Sequence, residues 1–286
     1  MATVEVDGTL ISYEIIGDGA PWVLTPGGRF SKDTPGLRDL ATALAARGKQ
    51  VLIWDRPNTG ASDVCFTGAS ESEMQADRLA GLLEALDMRP AVIFGGSGGS
   101  RVSLLTAANH PEVAAGLAMV WISGGVYGLM LLATHYCGES IRAAWQSGMP
   151  AVVELPEWAE VLERNPRNRK RFLDLDPRAF IETLERWMLA YWPDPNATVP
   201  GISDTQCAAL KVPTLVFRSG TSDPHHTRAT SERLHELIAG SHLVEPPWGN
   251  DEWKERGEAA REGSGLFERW PLLAPQLLDF FPGGGA

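Results

Sequence analysis

The stretch Ala91-Val92-Ile93-Phe94-Gly95-Gly96-Ser97-Gly98-Gly99 decides the fold. Apolar residues typical of a buried strand lead into the pattern G-x-S-x-G, and a helical pattern follows it. A serine on such a turn is exposed, and the start of the helix directs backbone N–H groups at an incoming negative charge. The turn could instead only connect strand and helix, or hold phosphate. It lacks the G-K-[ST] of a P-loop and the G-x-G-x-x-G of a dinucleotide fold, so we favour a nucleophilic Ser97.

Strand patterns alternate with helical patterns on both sides of this turn. After a predicted opening hairpin over 4–15, strands are expected at 22–24, 51–54, 91–94, 117–122, 214–217 and 243–244, with helices at 37–46, 74–86, 101–108 and 228–238. This alternation predicts an α/β fold, a mostly parallel sheet flanked by helices. It stops between about 124 and 205, where prolines divide a tryptophan-rich region into short helices.

These patterns predict how the chain is divided. We expect a core of residues 1–123 and 206–286, and a helical cap of residues 124–205 inserted between the sixth and seventh main strands. The glycine-rich tail at 283–285 is expected to fray.

Composition limits the class of partner. The chain has 286 residues, 44% of them hydrophobic, which is ordinary for a globular protein, and a net charge of −11. The sequence has no basic stripe, so we expect no nucleic-acid partner, and the acidic balance argues against an anionic membrane surface. The uncharged segment 113–138 is long enough to span a bilayer, but Ser123-Gly124-Gly125 interrupts it, and we interpret it as a strand, a turn and a helix.

The three cysteines have no paired spacing, so we interpret them as free thiols in a reducing compartment. The first residues lack a basic region followed by an apolar run, so we expect no signal peptide and a cytoplasmic protein. A small-molecule substrate is the expected partner, and a homodimer is compatible with the sequence.

Two further loops carry a family resemblance. Pro26-Gly27-Gly28 is similar to a loop that usually begins with His-Gly-Gly, and the loop from Asp55 to Ser62 is similar to D-x-R-G-x-G-x-S with altered middle residues. With the serine turn, these loops make the chain resemble the capped branch of the α/β-hydrolase superfamily, as in carboxylesterases and C–C bond ring-cleavage-product hydrolases. The resemblance implies a cofactor-free hydrolase whose oxyanion hole uses the N–H groups of Gly98 and of Gly28 or Gly27.

The resemblance also implies a catalytic acid, and Asp223 matches it in the turn after the strand at 214–217. An acid there would orient an imidazole, although Asp223 could instead cap the next helix. The expected histidine is missing, because no histidine follows His242. We favour His226 as the base, with His225 next and His135 in the cap as a further option. Its acid would be Asp223 or, from the loop after the last strand, Asp251 or Glu252, because a triad is defined by geometry and not by chain order.

The same loop also gives a weak metal pattern. Asp223, His225 and His226 lie too close along the chain to converge easily on one ion, so we predict no metal site.

Candidate substrate-binding residues come from the cap and from the two glycine-rich loops. Large apolar side chains of the cap could line a pocket above the serine, or could simply hold the cap helices together. Arg29 and Arg101 could hold a substrate carboxylate, or form a structural ion pair. The predicted substrate-binding set is Arg29, Arg101, His135, Trp145, Trp187 and Trp192.

Three functions remain open from the sequence. The first is hydrolysis of a carboxylic ester or lactone of a small, largely apolar substrate, which could be aromatic and carry a carboxylate. The second is C–C bond hydrolysis of a vinylogous keto-acid. The third is ligand binding without catalysis, because the usual late histidine is absent.

Overall fold

The computed structural model describes residues 2–283, so Gly284 and Gly285 of the tail expected to fray lie outside the described residues. Its sheet has eight strands in the spatial order β1-β2-β4-β3-β5-β6-β7-β8. The strands are β1 (Ala2–Val6), β2 (Thr9–Ile16), β3 (Ala20–Thr25), β4 (Lys49–Trp54), β5 (Ala91–Gly96), β6 (Ala114–Val120), β7 (Thr214–Phe217) and β8 (His242–Val244). β1 pairs antiparallel with β2, and β2 with β4, while every other pairing is parallel.

Helices cover both faces of the sheet, as the alternating pattern predicts. The core helices are α1 (Leu37–Ala45), α2 (Glu71–Ala85), α3 (Gly98–Asn109), α10 (Asp204–Ala208), α11 (Arg228–Leu237), α12 (Glu252–Arg261) and α13 (Ala274–Phe280), with 3₁₀ turns at Pro111–Val113 and Trp270–Leu273. Two apolar clusters, one on each face, bury the strands against these helices. The predicted α/β-hydrolase architecture is therefore confirmed.

The chain between β6 and β7 is mostly helical. It contains α4 (Val126–Ala133), a π-helical turn (Thr134–Gly138), α5 (Glu139–Ser147), α6 (Met149–Val152), a 3₁₀ turn (Pro156–Trp158), α7 (Ala159–Arg164), α8 (Arg167–Leu173) and α9 (Pro177–Leu189). These helices have a separate apolar cluster around Trp158, Phe172 and Trp187. Within residues 2–283, no helix is long and apolar enough to cross a membrane.

Parallel pairing brings the ends of β3, β5 and β7 to the same edge of the sheet, where ligands bind in open α/β sheets. The loop Pro26–Gly28 follows β3, Ser97 follows β5, and Asp223 and His226 follow β7. The topology therefore gathers four separate sequence signals around one point.

Candidate active site

Ser97 stands on a strained turn. Its φ of 55° and ψ of −121° lie in a backbone region that residues with a Cβ rarely adopt. Close packing around the turn keeps Ser97 in this conformation. The backbone at Gly99 lies so near to β3 that a Cβ there would be 2.1 Å from the Thr25 carbonyl oxygen. The Ser97 N–H donates to the carbonyls of Val120 and Trp121, at 3.1 and 3.0 Å, which anchors the turn to the end of β6.

His226 lies within hydrogen-bond distance of the serine. Its Nε2 is 2.9 Å from Ser97 Oγ, and its Nδ1 is 2.7 Å from Asp223 Oδ2. Because the pKa of Asp223 lies below its ordinary value, its carboxylate accepts from Nδ1–H and leaves Nε2 to accept from the serine hydroxyl. This tautomer is the one that general-base chemistry at the serine requires.

The acid and the histidine share one loop. Asp223 Oδ1 accepts from the N–H groups of His225 and His226, at 2.9 and 3.0 Å, which folds the loop so that the second carboxylate oxygen meets the ring of His226. Thr227 then caps α11 by accepting from the Thr230 N–H, so the loop ends at a fixed helix start. A spacing of three residues therefore suffices for an acid–histidine pair without a histidine after β8.

Burial sets the protonation states of this pair. Both side chains are more than nine-tenths buried. Burial lowers the pKa of His226 below its ordinary value, although the hydrogen bond and charge of Asp223 act in the opposite direction. Burial alone would raise the pKa of Asp223, but the hydrogen bond and charge of His226, together with the N–H groups of His225 and His226, outweigh burial and lower the pKa. Near neutral pH the pair is a neutral imidazole beside a carboxylate.

The glycine loop after β3 lies against the nucleophile. A Cβ at Gly27 would be 2.5 Å from Ser97 Cβ, so no side chain fits there. Gly28 has a φ of 52° and lines the pocket, and its nitrogen lies 3.3 Å from a Cβ built on Gly98. The Gly28 nitrogen and Gly98 are thus close enough to bind one oxyanion. Gly27 has a different role, because its lack of a side chain lets the loop approach Ser97 closely.

A cavity of about 380 Å³ opens above these groups. It is lined by Gly28, Phe30, Ser97, Trp121, Leu131, Leu132, His135, Tyr136, His225, His226, Trp253, Arg256, Leu266 and Phe267. The lining is mostly aromatic and aliphatic, and its polar groups include Ser97, three histidines and Arg256, which is typical of a small-molecule site. Of the predicted substrate-binding residues, only His135 lies in this lining.

The three predicted tryptophans lie elsewhere. The side chains of Trp145 and Trp192 are 79% and 66% exposed to solvent. Trp187 is buried among the helices between β6 and β7, where it stacks on Phe66 and donates to the Gly68 carbonyl. None of the three lines the cavity, because Trp145 and Trp192 face solvent and Trp187 packs against other aromatic side chains.

The two predicted arginines also do not line the pocket. Arg29 forms an ion pair with Glu71 at 2.8 Å and lies over the ring of Trp158. The Arg101 guanidinium donates to three hydroxyl groups, on Ser72, Ser123 and Tyr191. Both side chains bind partners within the protein and neither lines the cavity, which favours the alternative that they serve the structure.

Asp251 and His225 also differ from their predicted roles. Asp251 is exposed at the start of α12, and among the described residues it forms neither a hydrogen bond nor an ion pair with His226. The His225 ring lines the pocket and lies 4.9 Å from the ring of Trp253, while the ring of His226 takes the position beside the serine.

Helix α12, which follows β8, contributes residues that the sequence analysis missed. Trp253 and Arg256 both line the pocket, and the Arg256 guanidinium lies between the rings of Trp121 and Trp253, at 3.9 and 4.8 Å. Arg256 forms an ion pair with the buried Glu252 at 2.8 Å and lies 3.8 Å from the Asp223 carboxylate. Their position in the sequence could have indicated them, because they follow the strand after which the family's histidine is expected.

Comparisons with known proteins agree with this architecture. The model of the Alpha/beta hydrolase family matches residues 22–275. Among solved structures, the chain is similar to Est816, an N-acyl homoserine lactone degrading enzyme, with 23% identity and a TM-score of 0.59 over 98% of this chain and 100% of that one. The chain is also similar to the enol-lactonase from Burkholderia xenovorans LB400, with 23% identity and a TM-score of 0.58 over 98% of this chain and 100% of that one.

A third similar structure is the meta-cleavage product hydrolase CumD from Pseudomonas fluorescens IP01, with 20% identity and a TM-score of 0.60 over 99% of this chain and 97% of that one. No curated protein matches the sequence. Identities this low show the fold alone, whereas the family model covers most of the chain. This chain therefore belongs to the alpha/beta hydrolase family.

Proposed function

We propose that the protein is a cofactor-free serine hydrolase that cleaves a carboxylic ester or lactone of a small, largely apolar substrate. The observation that carries the proposal is the hydrogen-bond chain from Ser97 through His226 to Asp223 at the base of an apolar pocket. A serine hydroxyl is a useful nucleophile only beside a base, and this chain supplies one.

The chemistry would proceed in two halves. His226 Nε2 takes the proton from Ser97 Oγ as the oxygen attacks the carbonyl carbon, and Asp223 stabilises the imidazolium that forms. The N–H groups of Gly28 and Gly98 stabilise the negative oxygen. The imidazolium then protonates the leaving alkoxide, and water, activated by the same histidine, releases the acid from the serine.

Pocket polarity favours a neutral substrate. Arg256 is the cation in the lining, but the carboxylate of Glu252 already pairs with it and that of Asp223 lies nearby. A substrate carboxylate beside Arg256 would therefore meet two negative charges. This favours an apolar ester or lactone over the vinylogous keto-acids that C–C bond hydrolysis would require. The similar structures do not decide between these substrates, because they include lactone-degrading enzymes and a meta-cleavage product hydrolase.

A panel of neutral p-nitrophenyl esters, simple lactones and vinylogous keto-acids tests the proposal, with wild type assayed beside Ser97→Ala. We expect wild type to hydrolyse esters or lactones and the variant to lose turnover while still binding the substrate. Saturable binding of an apolar ligand without turnover by wild type would favour the ligand-binding alternative. Turnover of keto-acids alone would favour C–C bond hydrolysis.

A further inference from the structure

Three arginines, two of them buried, lie in or beside the loop that carries Gly28. Arg29 belongs to this loop, and its partner Glu71 lies at 2.8 Å. Arg56 and Arg101 are buried, with exposed fractions of 2% and 4%, and within residues 2–283 neither forms an ion pair with a carboxylate. The cluster therefore holds more positive than negative charge, in a chain whose net charge is −11.

In the described residues, the guanidinium groups of Arg56 and Arg101 donate hydrogen bonds only to uncharged oxygens. Arg56 Nη2 donates to the carbonyls of Gly27, Gly28 and Phe30, at 3.2, 2.7 and 3.3 Å, and its buried Nε has no partner in the described structure. Arg101 donates to hydroxyl groups only. Burial without a carboxylate is costly for a cation, and it lowers the pKa of Arg56 to about 10. Such a cost calls for a counter-charge that the resting protein lacks.

The position of the two guanidiniums indicates where that counter-charge would form. A Cβ built on Gly98 would lie 3.6 Å from Arg101 Nη2 and 3.7 Å from Arg56 Nη1, on the same side as the Gly28 nitrogen. Both guanidiniums therefore lie close to Gly98, on the side of this residue that faces the Gly28 nitrogen. A negative charge that develops at the two proposed oxyanion donors would be attracted by both cations in a site from which water is largely excluded.

We propose that Arg56 and Arg101 are positioning residues of the oxyanion hole, and that their counter-charge is the tetrahedral intermediate. This inference rests on the proposed serine-hydrolase function. When Ser97 Oγ bonds to the carbonyl carbon, its proton passes to His226 and the carbonyl π electrons move to the oxygen, which becomes negative. When the carbonyl re-forms, the bond to the leaving group breaks and the alkoxide takes the proton from His226. Because a neutral ester carries no such charge before attack, the two cations lower the barrier more than they strengthen binding.

The effect of charge on catalysis is separated from that of hydrogen bonding by two pairs of variants. Arg56→Lys and Arg101→Lys keep the positive charge, whereas Arg56→Gln and Arg101→Gln keep hydrogen-bond donors without it. The exposed Arg47→Gln is the matched control. The readouts are kcat and KM for p-nitrophenyl butyrate, the Ki of phenylboronic acid, whose serine adduct is a tetrahedral anion, and thermal melting. A unit charge at roughly 6 Å and an effective dielectric of about 20 corresponds to about a hundredfold in rate.

We expect each Gln variant to lose about 10- to 100-fold in kcat and in boronate affinity, with KM nearly unchanged. The Lys variants should recover most of both. Equal losses in Lys and Gln variants, or Gln variants with unchanged kcat, would overturn the inference, because shape or hydrogen bonding would then explain the cluster.

Two further results distinguish a failure of this inference from a failure of the proposed function. If a Gln variant melts below the assay temperature, the boronate affinity of the folded Lys variant decides, and a loss of tenfold or more in that variant would contradict the role of charge. If wild type itself hydrolyses no ester and binds no boronate, the proposed function fails. An active wild type that is insensitive to these substitutions contradicts this inference alone.

Discussion

Asp223→Asn is the substitution that separates the local acid–histidine pair from its alternatives. The asparagine oxygen can still accept from the backbone N–H groups of His225 and His226, as Oδ1 does at 2.9 and 3.0 Å. The amide nitrogen then faces His226 Nδ1, 2.7 Å away in the native pair, and donates to it. His226 must therefore carry its proton on Nε2, where it can no longer take one from the serine.

The size of the effect follows from this change of tautomer. Forcing the wrong tautomer in a serine triad costs about 10⁴-fold in kcat, or about 5.5 kcal/mol of barrier. The fold should survive, because the substitution is isosteric and costs about 1–3 kcal/mol of stability through the weaker buried hydrogen bonds. KM should change little, since Asp223 does not line the pocket.

The assay is kcat/KM for a neutral p-nitrophenyl ester, with thermal melting as the measure of folding. Asp251→Asn and Glu252→Gln are matched isosteric controls on the loop that the sequence offered as the other source of the acid. Asp251→Asn should retain full activity, because its carboxylate is exposed. A folded Asp223→Asn within tenfold of wild type, together with a collapse of activity in either control, would refute the assignment of the acid.

Four further predictions concern the identity of the base, its titration, the glycine loop and the cap tryptophans. His226→Ala should lower kcat by at least a thousandfold, whereas His225→Ala should cost less than tenfold, because its ring only lines the pocket; the reverse order would assign the base to His225. The acid limb of the kcat/KM profile should lie below the ordinary histidine pKa of 6.5, because burial lowers the pKa of His226 and the base stays neutral until the pH falls through it. A midpoint above 6.5 would contradict this environment. Gly27→Ala should reduce kcat at least a hundredfold in a folded protein, because its methyl group would be 2.5 Å from the Cβ of the serine, and an unchanged kcat would show that the loop lies elsewhere. Trp187→Ala should destabilise the protein by about 3–5 kcal/mol in denaturant unfolding, and Trp145→Ala by less than about 0.5 kcal/mol; similar values would show that both belong to one environment.

The core could be predicted from the sequence because its signals are local and periodic. Apolar strand patterns ending in glycine-rich turns gave the sheet, and the G-x-S-x-G turn gave the position of Ser97. The close spacing of Asp223 and His226 placed both on one loop, but the spacing did not tell His226 from His225. Folding of that loop around Asp223 Oδ1 decides between them, and it depends on two backbone hydrogen bonds that composition does not encode.

Side-chain direction is the part that the sequence did not reveal. Arg29 and Arg101 lie next to the predicted catalytic loops in sequence, yet they point to Glu71 and Tyr191. The cap tryptophans all fit an apolar pocket by residue type, but tertiary packing of the cap helices decides which of them face solvent. Trp253 lies in the first turn of α12, and the resemblance predicts a histidine after β8 but no tryptophan there.

The central claim is that Ser97 is activated by His226. Intact mass after exposure to a small fluorophosphonate tests it directly, with wild type compared to Ser97→Ala and His226→Ala. We predict one adduct on wild type, none on Ser97→Ala, and labelling of His226→Ala slowed by at least a hundredfold. An unlabelled wild type, or a His226→Ala variant labelled at the wild-type rate, would contradict the account.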